Sequence, residues 1–297
     1  MTKLLQVENL AEAVLRTFAF FDTFSYPLTL FEVWHFCGKK AELSEVQEVL
    51  LGEFLAVRLS QKNGFYFLRG RECLVEKRRQ FAVIAEKKMY RARFVTKLWR
   101  FVPGLKGVAL CNNFYYSPKS DIDLLIITAK NSLWLTRFLI IAITQIIGLR
   151  INSKKIADQI CLSFFVSEDG LDFSTLMIPG GDPYFIFWFA FLDPIYDDGV
   201  FKKLWLENNQ IRNNLPNFIF PEVAPFRVLK KRLYWQAPVF FDRLVAPWQK
   251  KIIAQKKINL NNEPSGVVVS EKVLKFHEQD RRREFRQRFE DNLKKYL

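Results

Sequence analysis

The chain has 297 residues, of which 49% are hydrophobic and 15% aromatic, with 30 phenylalanines. That apolar content excludes general disorder and is ample for two or three packed domains. The formal net charge of +14 fits an anionic partner (nucleic acid, nucleotide or membrane surface) as well as it fits a merely basic solvated surface. Most of the excess lies in residues 226–297, where 18 Lys and Arg stand against 8 Asp and Glu.

The four cysteines, Cys37, Cys73, Cys111 and Cys161, form no CxxC pair. They read as reduced, mostly buried thiols of a cytoplasmic protein. With only His35 and His277 to join them, zinc is not expected. The first residues lack the charged-then-apolar pattern of a signal peptide. The apolar stretch 133–149 is interrupted by Arg137 and Gln145, and 184–192 is too short to span a bilayer. Both fall below the ~20 residues that a spanning helix needs, so core helices and no membrane partner are expected.

In chain order, apolar spacing predicts a helix over 8–21. Thr29 is a candidate N-cap for a second helix over 30–37, and Ser44 for a third running to Phe54. Residues 56–59 and 65–68, joined through Asn63-Gly64, read as a β-hairpin. Three helices and a hairpin form a winged-helix-like pattern over 1–71. The third helix would read DNA in a regulator, but it carries Glu42, Glu45, Glu48 and Glu53 and no Lys or Arg. An acidic helix does not suit a phosphate-lined groove, so a structural or protein-contact role is expected.

Residues 72–101 read as a long amphipathic helix whose Lys and Arg form a solvated face. Strands are expected over 105–110, 124–128 and 159–166, with a helix over 133–147. This is a small mixed-sheet unit spanning 72–172. Residues 173–297 read as a helical region: aromatic over 183–192, amphipathic over 201–209, Trp-punctuated over 226–255, a loop over 259–266 and a charged terminal helix over 271–296. Its Arg281-Arg282-Arg283 run is a candidate phosphate contact or a solvated face. The fold class expected is therefore α+β.

Ser120-Asp121-Ile122-Asp123-Leu124-Leu125-Ile126-Ile127-Thr128 carries the strongest chemical signal. Residues i and i+2 of a strand share a face, so Asp121 and Asp123 project together from the head of a buried run. Neighbouring carboxylates repel unless a cation lies between them. Hard oxygen ligands of this kind suit Mg²⁺, which typically takes one or two carboxylates together with substrate phosphates.

Residues 112–128 resemble the active-site hairpin of the DNA polymerase beta-like nucleotidyltransferase superfamily. Those enzymes place Gly-Ser on a turn after one strand and Asp-x-Asp on the next. Other segments, among them Tyr26-Pro27-Leu28-Thr29, Trp134-x-Thr136-Arg137, Cys161-Leu162-Ser163-Phe164-Phe165 and Lys275-Phe276-His277, are similar to uncharacterised bacterial proteins. Those proteins join a winged-helix-like start to such a domain.

The resemblance implies an Mg²⁺-dependent transfer (with Mn²⁺ as a substitute) of NMP from an NTP to a hydroxyl on a small molecule, RNA or protein. It makes Asp121 and Asp123 the metal ligands. Asn112, Asn113 and Ser120 become phosphate or nucleotide contacts; Lys119 and Arg137 are further candidate phosphate contacts, and Arg137 reads equally as a helix-surface ion-pair residue. The family's third carboxylate lies on a later strand. No acid sits at the centre of 159–166, so Asp158 is the first choice and Glu168 and Asp169 the others. Asn112-Asn113 stands where Gly-Ser is expected. Both departures leave open a degenerate fold that binds nucleotide, nucleic acid or protein without turnover. A DNA-binding regulator acting through the N-terminal module and the basic C-terminal region is a third reading.

Overall fold

The computed structural model describes residues 2–112, 117–152, 155–220, 229, 239–255, 266–277 and 280–296. The chain is mixed α and β. It opens with α1 (Thr2–Asp22), a short strand β1 (Leu28–Thr29), α2 (Leu30–Phe36), α3 (Leu43–Leu51), a single turn α4 (Glu53–Ala56) and the hairpin β2 (Leu59–Lys62) and β3 (Phe65–Leu68). The expected Thr29 cap is present. Its hydroxyl accepts from Glu32 N at 3.2 Å, and the Glu32 carboxylate accepts from Thr29 N at 2.8 Å. Thr29→Ala removes this box and is expected to cost about 1 kcal/mol, seen as a lower urea midpoint with an unchanged slope.

The hairpin pairs Lys62 with Phe65, leaving Asn63 and Gly64 as a two-residue turn with φ of 53° and 80°. Positive φ at both positions is what Asn-Gly supplies. The first strand starts later than expected because α4 takes up Ala56.

The long α5 (Leu74–Trp99) leads into β4 (Leu105–Leu110), β5 (Ile122–Thr128), α6 (Leu133–Ile146) and β6 (Ile160–Ser167). A 3₁₀ turn (Ser174–Leu176) follows, then α7 (Pro183–Ala190), β7 (Asp193–Asp197), α8 (Val200–Glu207), α9 (Asn209–Asn214) and α10 (Val239–Gln255). The last elements are β8 (Val267–Val269), β9 (Val273–Phe276) and α11 (Arg282–Tyr296).

One six-stranded sheet of order β7-β4-β5-β6-β9-β8 organises the chain. β5 and β6 are parallel and the other neighbours antiparallel. Three of its six strands, β7, β8 and β9, come from 173–297, so the reading of that region as wholly helical is corrected. All three are short, and β7 contains Pro194. Proline within a run argues against a central strand and is tolerated at an edge, which is where β7 lies. The terminal helix begins at Arg282, after β9 has used residues 273–276 of the stretch expected to be helical.

Each face of the sheet has its own core. On one side Val108, Leu110, Leu124, Ile126 and Phe165 pack with Val95, Trp99, Trp134 and Ile140 from α5 and α6. On the other, Ala109, Leu125, Ile127, Phe164 and Val166 belong to a core continuous with Val14, Phe20 and Phe21 of α1 and with Phe185 to Phe189 of α7. The Phe20 and Phe21 rings lie 4.2 and 5.0 Å from that of Phe187. Asn292 of α11 donates to the Ala19 carbonyl at 3.2 Å. The N-terminal helices and the C-terminal helix therefore close over the same sheet face. Among the described residues no helix is long and apolar enough to cross a membrane; the apolar α6 is a core helix. Cys37 and Cys111 are buried as expected, whereas Cys73 is exposed.

Candidate functional site

Asp121 and Asp123 lie at the N-terminal end of β5, on the sheet face covered by α1, α7 and α11. They line a cavity of about 500 Å³ together with Asn112, Ser120, Tyr184, Lys275, His277 and Arg281. The Asp123 carboxylate is held. Asn112 Nδ2 donates to its Oδ2 at 3.0 Å, and the Tyr184 hydroxyl donates to Asn112 Oδ1 at 2.9 Å. Asn112 sits at φ 57°, the left-handed region that asparagine tolerates. Its amide thus serves as a carboxylate clamp. Asn113 lies outside the described residues.

Burial, followed by the charge of Asp121, raises the Asp123 carboxyl to about 6, although hydrogen bonds from Cys161 and Asn112 and the charge of Lys88 work the other way. Tyr184, at the back of this clamp, was not apparent from the sequence; it sits in an aromatic run and reads there as core. Tyr184→Phe leaves Asn112 Oδ1 without its donor. It is expected to cost about 1 kcal/mol, measured by urea unfolding, and to weaken cation binding by loosening Asp123.

The third position is occupied by cysteine. The parallel register pairs Asp123 with Cys161. One oxygen from each aspartate and the Cys161 Sγ lie within 4.8 Å of one another, the only such group of His, Cys, Asp and Glu ligand atoms among the described residues. Burial and the two carboxylates push the thiol well above its usual range. Without a cation it stays protonated.

The sequence candidates for a third acid lie elsewhere. Asp158 is bound to Lys87 at 3.2 Å and Lys88 at 3.1 Å. Burial opposes its ionisation, but these lysines outweigh burial and hold the carboxyl below its usual range. Glu168 and Asp169 follow β6 at its other end, where Glu168 N donates to the Thr128 carbonyl at 2.8 Å. Parallel pairing puts that end a full strand length away from Asp123.

Behind the aspartates stands Lys88 of α5, with no exposed surface. Its Nζ donates to the Ser120 carbonyl at 2.6 Å and to Asp158 at 3.1 Å. Asp158 N donates to the same carbonyl at 3.0 Å. Together they fix the turn that delivers Asp121. Lys88 departs from the expectation that the basic residues of this helix are a solvated face. Only its place beside the turn distinguishes it from its neighbours, and sequence does not carry that. Ser120 lines the cavity, but its hydroxyl donates back to the Ser117 carbonyl at 2.9 Å. Lys119 is exposed on the same turn.

β9 and the start of α11 bring basic residues to the same cavity. Lys275 of β9 is 5% exposed. Burial, then the charge of Arg282, lowers its ammonium to about 7 despite Asp280 and Asp182. His277, two residues on, is lowered to about 3 by burial and by Lys275. Arg281 pairs with Glu284 at 2.7 Å. Arg282 is buried. It donates to Asp182 Oδ2 and the Leu176 carbonyl and is clamped by Asp280, so the middle arginine of the run is structural and not a phosphate contact.

Arg137 is not brought to the aspartates. It lines a separate cavity of about 480 Å³ between α6, α10 and the start of β6, which Cys161 also lines. There it donates to Gln249 Oε1 and lies 5.3 Å from the Phe276 ring. Burial, then the charge of Arg150, lowers it to about 10.

No protein-family model, curated protein or solved structure matches this chain.

Proposed function

We propose that this chain is a divalent-cation-dependent nucleotidyltransferase that moves a nucleoside monophosphate from an NTP to a hydroxyl acceptor, a small molecule, RNA or protein. The observation that carries the reading is the carboxylate pair at the head of a central strand, set in a cavity that Lys275 and Arg281 also line. Two acids with a raised Asp123 carboxyl fit a cation. A volume of about 500 Å³ lies within the ~300–1,000 Å³ range of small-molecule sites.

Asp121 and Asp123 would hold Mg²⁺, or Mn²⁺ in its place. When bound, such a cation neutralises phosphate charge and orients the phosphates. Asn112 and Tyr184 keep Asp123 in one rotamer. Lys88 holds the Ser120 turn against recoil from the charge it presents. Lys275 and Arg281 face the polyanion and would favour its β- and γ-phosphates. In the transfer the acceptor oxygen bonds to the α-phosphorus. The bond from that phosphorus to the oxygen bridging it to the β-phosphate breaks, pyrophosphate leaves with the electron pair, and the acceptor's proton passes to solvent.

The three helices and hairpin of the first 68 residues serve in this reading as a winged-helix-like module for protein contact. The acids of α3 (Glu45 and Glu48) are exposed and would repel a DNA backbone. The exposed arginines of α11 are the proposed route to a nucleic-acid acceptor, with affinity falling as salt rises. The test is pyrophosphate release from each NTP with Mg²⁺ or Mn²⁺ and its loss in Asp121→Ala/Asp123→Ala.

One observation favours a second reading, a nucleotide-binding module without turnover. Cysteine, not a carboxylate, stands beside Asp123, and among the described residues no other acid reaches the pair. The base that would deprotonate the acceptor is then missing. That reading predicts cation-dependent NTP binding with no pyrophosphate release.

A further inference from the structure

Cys161 has no part in the transfer as written, yet β-sheet pairing places it where a ligand would be. Adjacent strands lie ~4.8 Å apart, and the parallel register seats Cys161 directly beside Asp123. Its Sγ and one oxygen each from Asp121 and Asp123 fall within 4.8 Å of one another. All three side chains are partly exposed; the aspartates line the cavity of the candidate site and Cys161 lines the neighbouring one beside Arg137, so the three ligand atoms meet between the two. The thiol is free of any disulfide.

A second, independent observation comes from another residue lining the cavity that holds the aspartates. The His277 Nδ1 is buried and has no hydrogen-bond partner among the described residues, although His277 lines the same cavity. A buried ring nitrogen left without a partner is costly. A polar ligand entering this cavity would supply the partner it lacks.

Ligand type decides which cation this is. Carboxylate oxygens alone suit Mg²⁺, which binds thiolate poorly; sulfur selects softer transition cations. We propose that Asp121, Asp123 and Cys161 form a mixed carboxylate–thiolate centre for a borderline divalent cation of the Zn²⁺ and Co²⁺ class. The site takes such an ion in strong preference to Mg²⁺. Binding forms an Sγ–cation bond and releases the thiol proton to solvent; nothing is oxidised or reduced. The location of the centre stands on its own geometry, and only the use made of the cation rests on the nucleotidyltransferase reading.

The full-length, metal-stripped protein is titrated with Co²⁺ in a thiol-free reductant and followed by near-ultraviolet absorption. A thiolate-to-Co²⁺ charge-transfer band is expected, saturating at one ion per chain. Cys161→Ser, close to isosteric, is expected to abolish the band and to lower Zn²⁺ and Co²⁺ affinity by at least ~10-fold while leaving Mg²⁺ affinity unchanged. Cys161→Asp is expected to shift the preference toward Mg²⁺. Co²⁺ binding without the band, or equal Zn²⁺ affinity in wild type and Cys161→Ser, overturns the proposal. If that happens while Mg²⁺-dependent NTP binding persists, the nucleotidyltransferase reading survives. A band in a protein that releases no pyrophosphate with Mg²⁺, Zn²⁺ or Co²⁺ establishes the centre and overturns the reaction.

Discussion

Replacing Asp123 with asparagine is expected to stabilise the metal-free protein at pH 8 and to remove its response to divalent cations. In the wild type, burial and Asp121 lift the Asp123 carboxyl from its ordinary value of 3.8 to about 6. The folded state therefore holds this proton more tightly than the unfolded chain does. Between pH 4 and 6 stability falls as pH rises, and above about 6 the whole penalty is present. Two units correspond to about 2–3 kcal/mol, of which a neutral amide should recover about 2 kcal/mol.

Asparagine can still accept from Asn112 Nδ2, so the clamp survives. Urea unfolding in chelator should show the variant ahead of wild type at pH 8 and level with it at pH 4. Adding the cation should raise wild-type stability by mass action and leave the variant unmoved. A variant less stable than wild type at pH 8 in chelator would show that Asp123 is a satisfied structural group. A gain in stability in the variant would be the mark of charges held together for a ligand.

Lys88→Met is expected to be the most damaging substitution behind the site, costing about 3 kcal/mol. Lys88 is fully buried, and its ammonium serves the Ser120 carbonyl and Asp158 together. Methionine fills the space but leaves part of the Asp158 carboxylate without its donor and the Ser120 carbonyl with Asp158 N alone. Asp158 keeps Lys87, which is 68% exposed, so Lys87→Met should move stability by less than about 0.5 kcal/mol.

The loss should extend to the site. The Ser120 turn delivers Asp121, and Lys88 is one of the charges that lower the Asp123 carboxyl. Cation affinity in Lys88→Met should therefore fall roughly 10-fold, measured by calorimetry below the unfolding range. Lys88→Met/Asp158→Asn should cost less than the sum of the single changes. Additive costs would mean that Lys88 and Asp158 do not act as a pair.

The strands that carry the aspartates could be read from sequence because their signal is local. A run of β-branched residues headed by two acids predicts a buried strand with both acids at its mouth, and β4, β5, α6 and β6 lie within one or two residues of their expected positions. Asn63-Gly64 and Thr29 were legible for the same reason, since each acts on its own turn.

What could not be read depends on partners distant in the chain. β9 is four residues long and becomes a strand only beside β6. Cys161 becomes a neighbour of Asp123 only through the register, and a one-residue slip would turn it to the other face. Lys88 looks like any other lysine of a basic helix until the Ser120 turn packs over it. Arg137 reads from sequence as a phosphate contact or as a helix-surface ion-pair residue, and α6 carries it to a cavity away from the aspartates. Asp158 was chosen for its place before that strand, and in the fold it is an anchor for Lys88.

The proposed activity requires that Asp121 and Asp123 hold a cation that a nucleotide needs. Isothermal titration of each NTP into wild type, with and without a divalent cation, and into Asp121→Ala/Asp123→Ala measures this most directly. Saturable NTP binding that requires the cation and is lost in the double variant is the predicted result. NTP binding that is independent of cation, or unchanged by removal of both carboxylates, would contradict it.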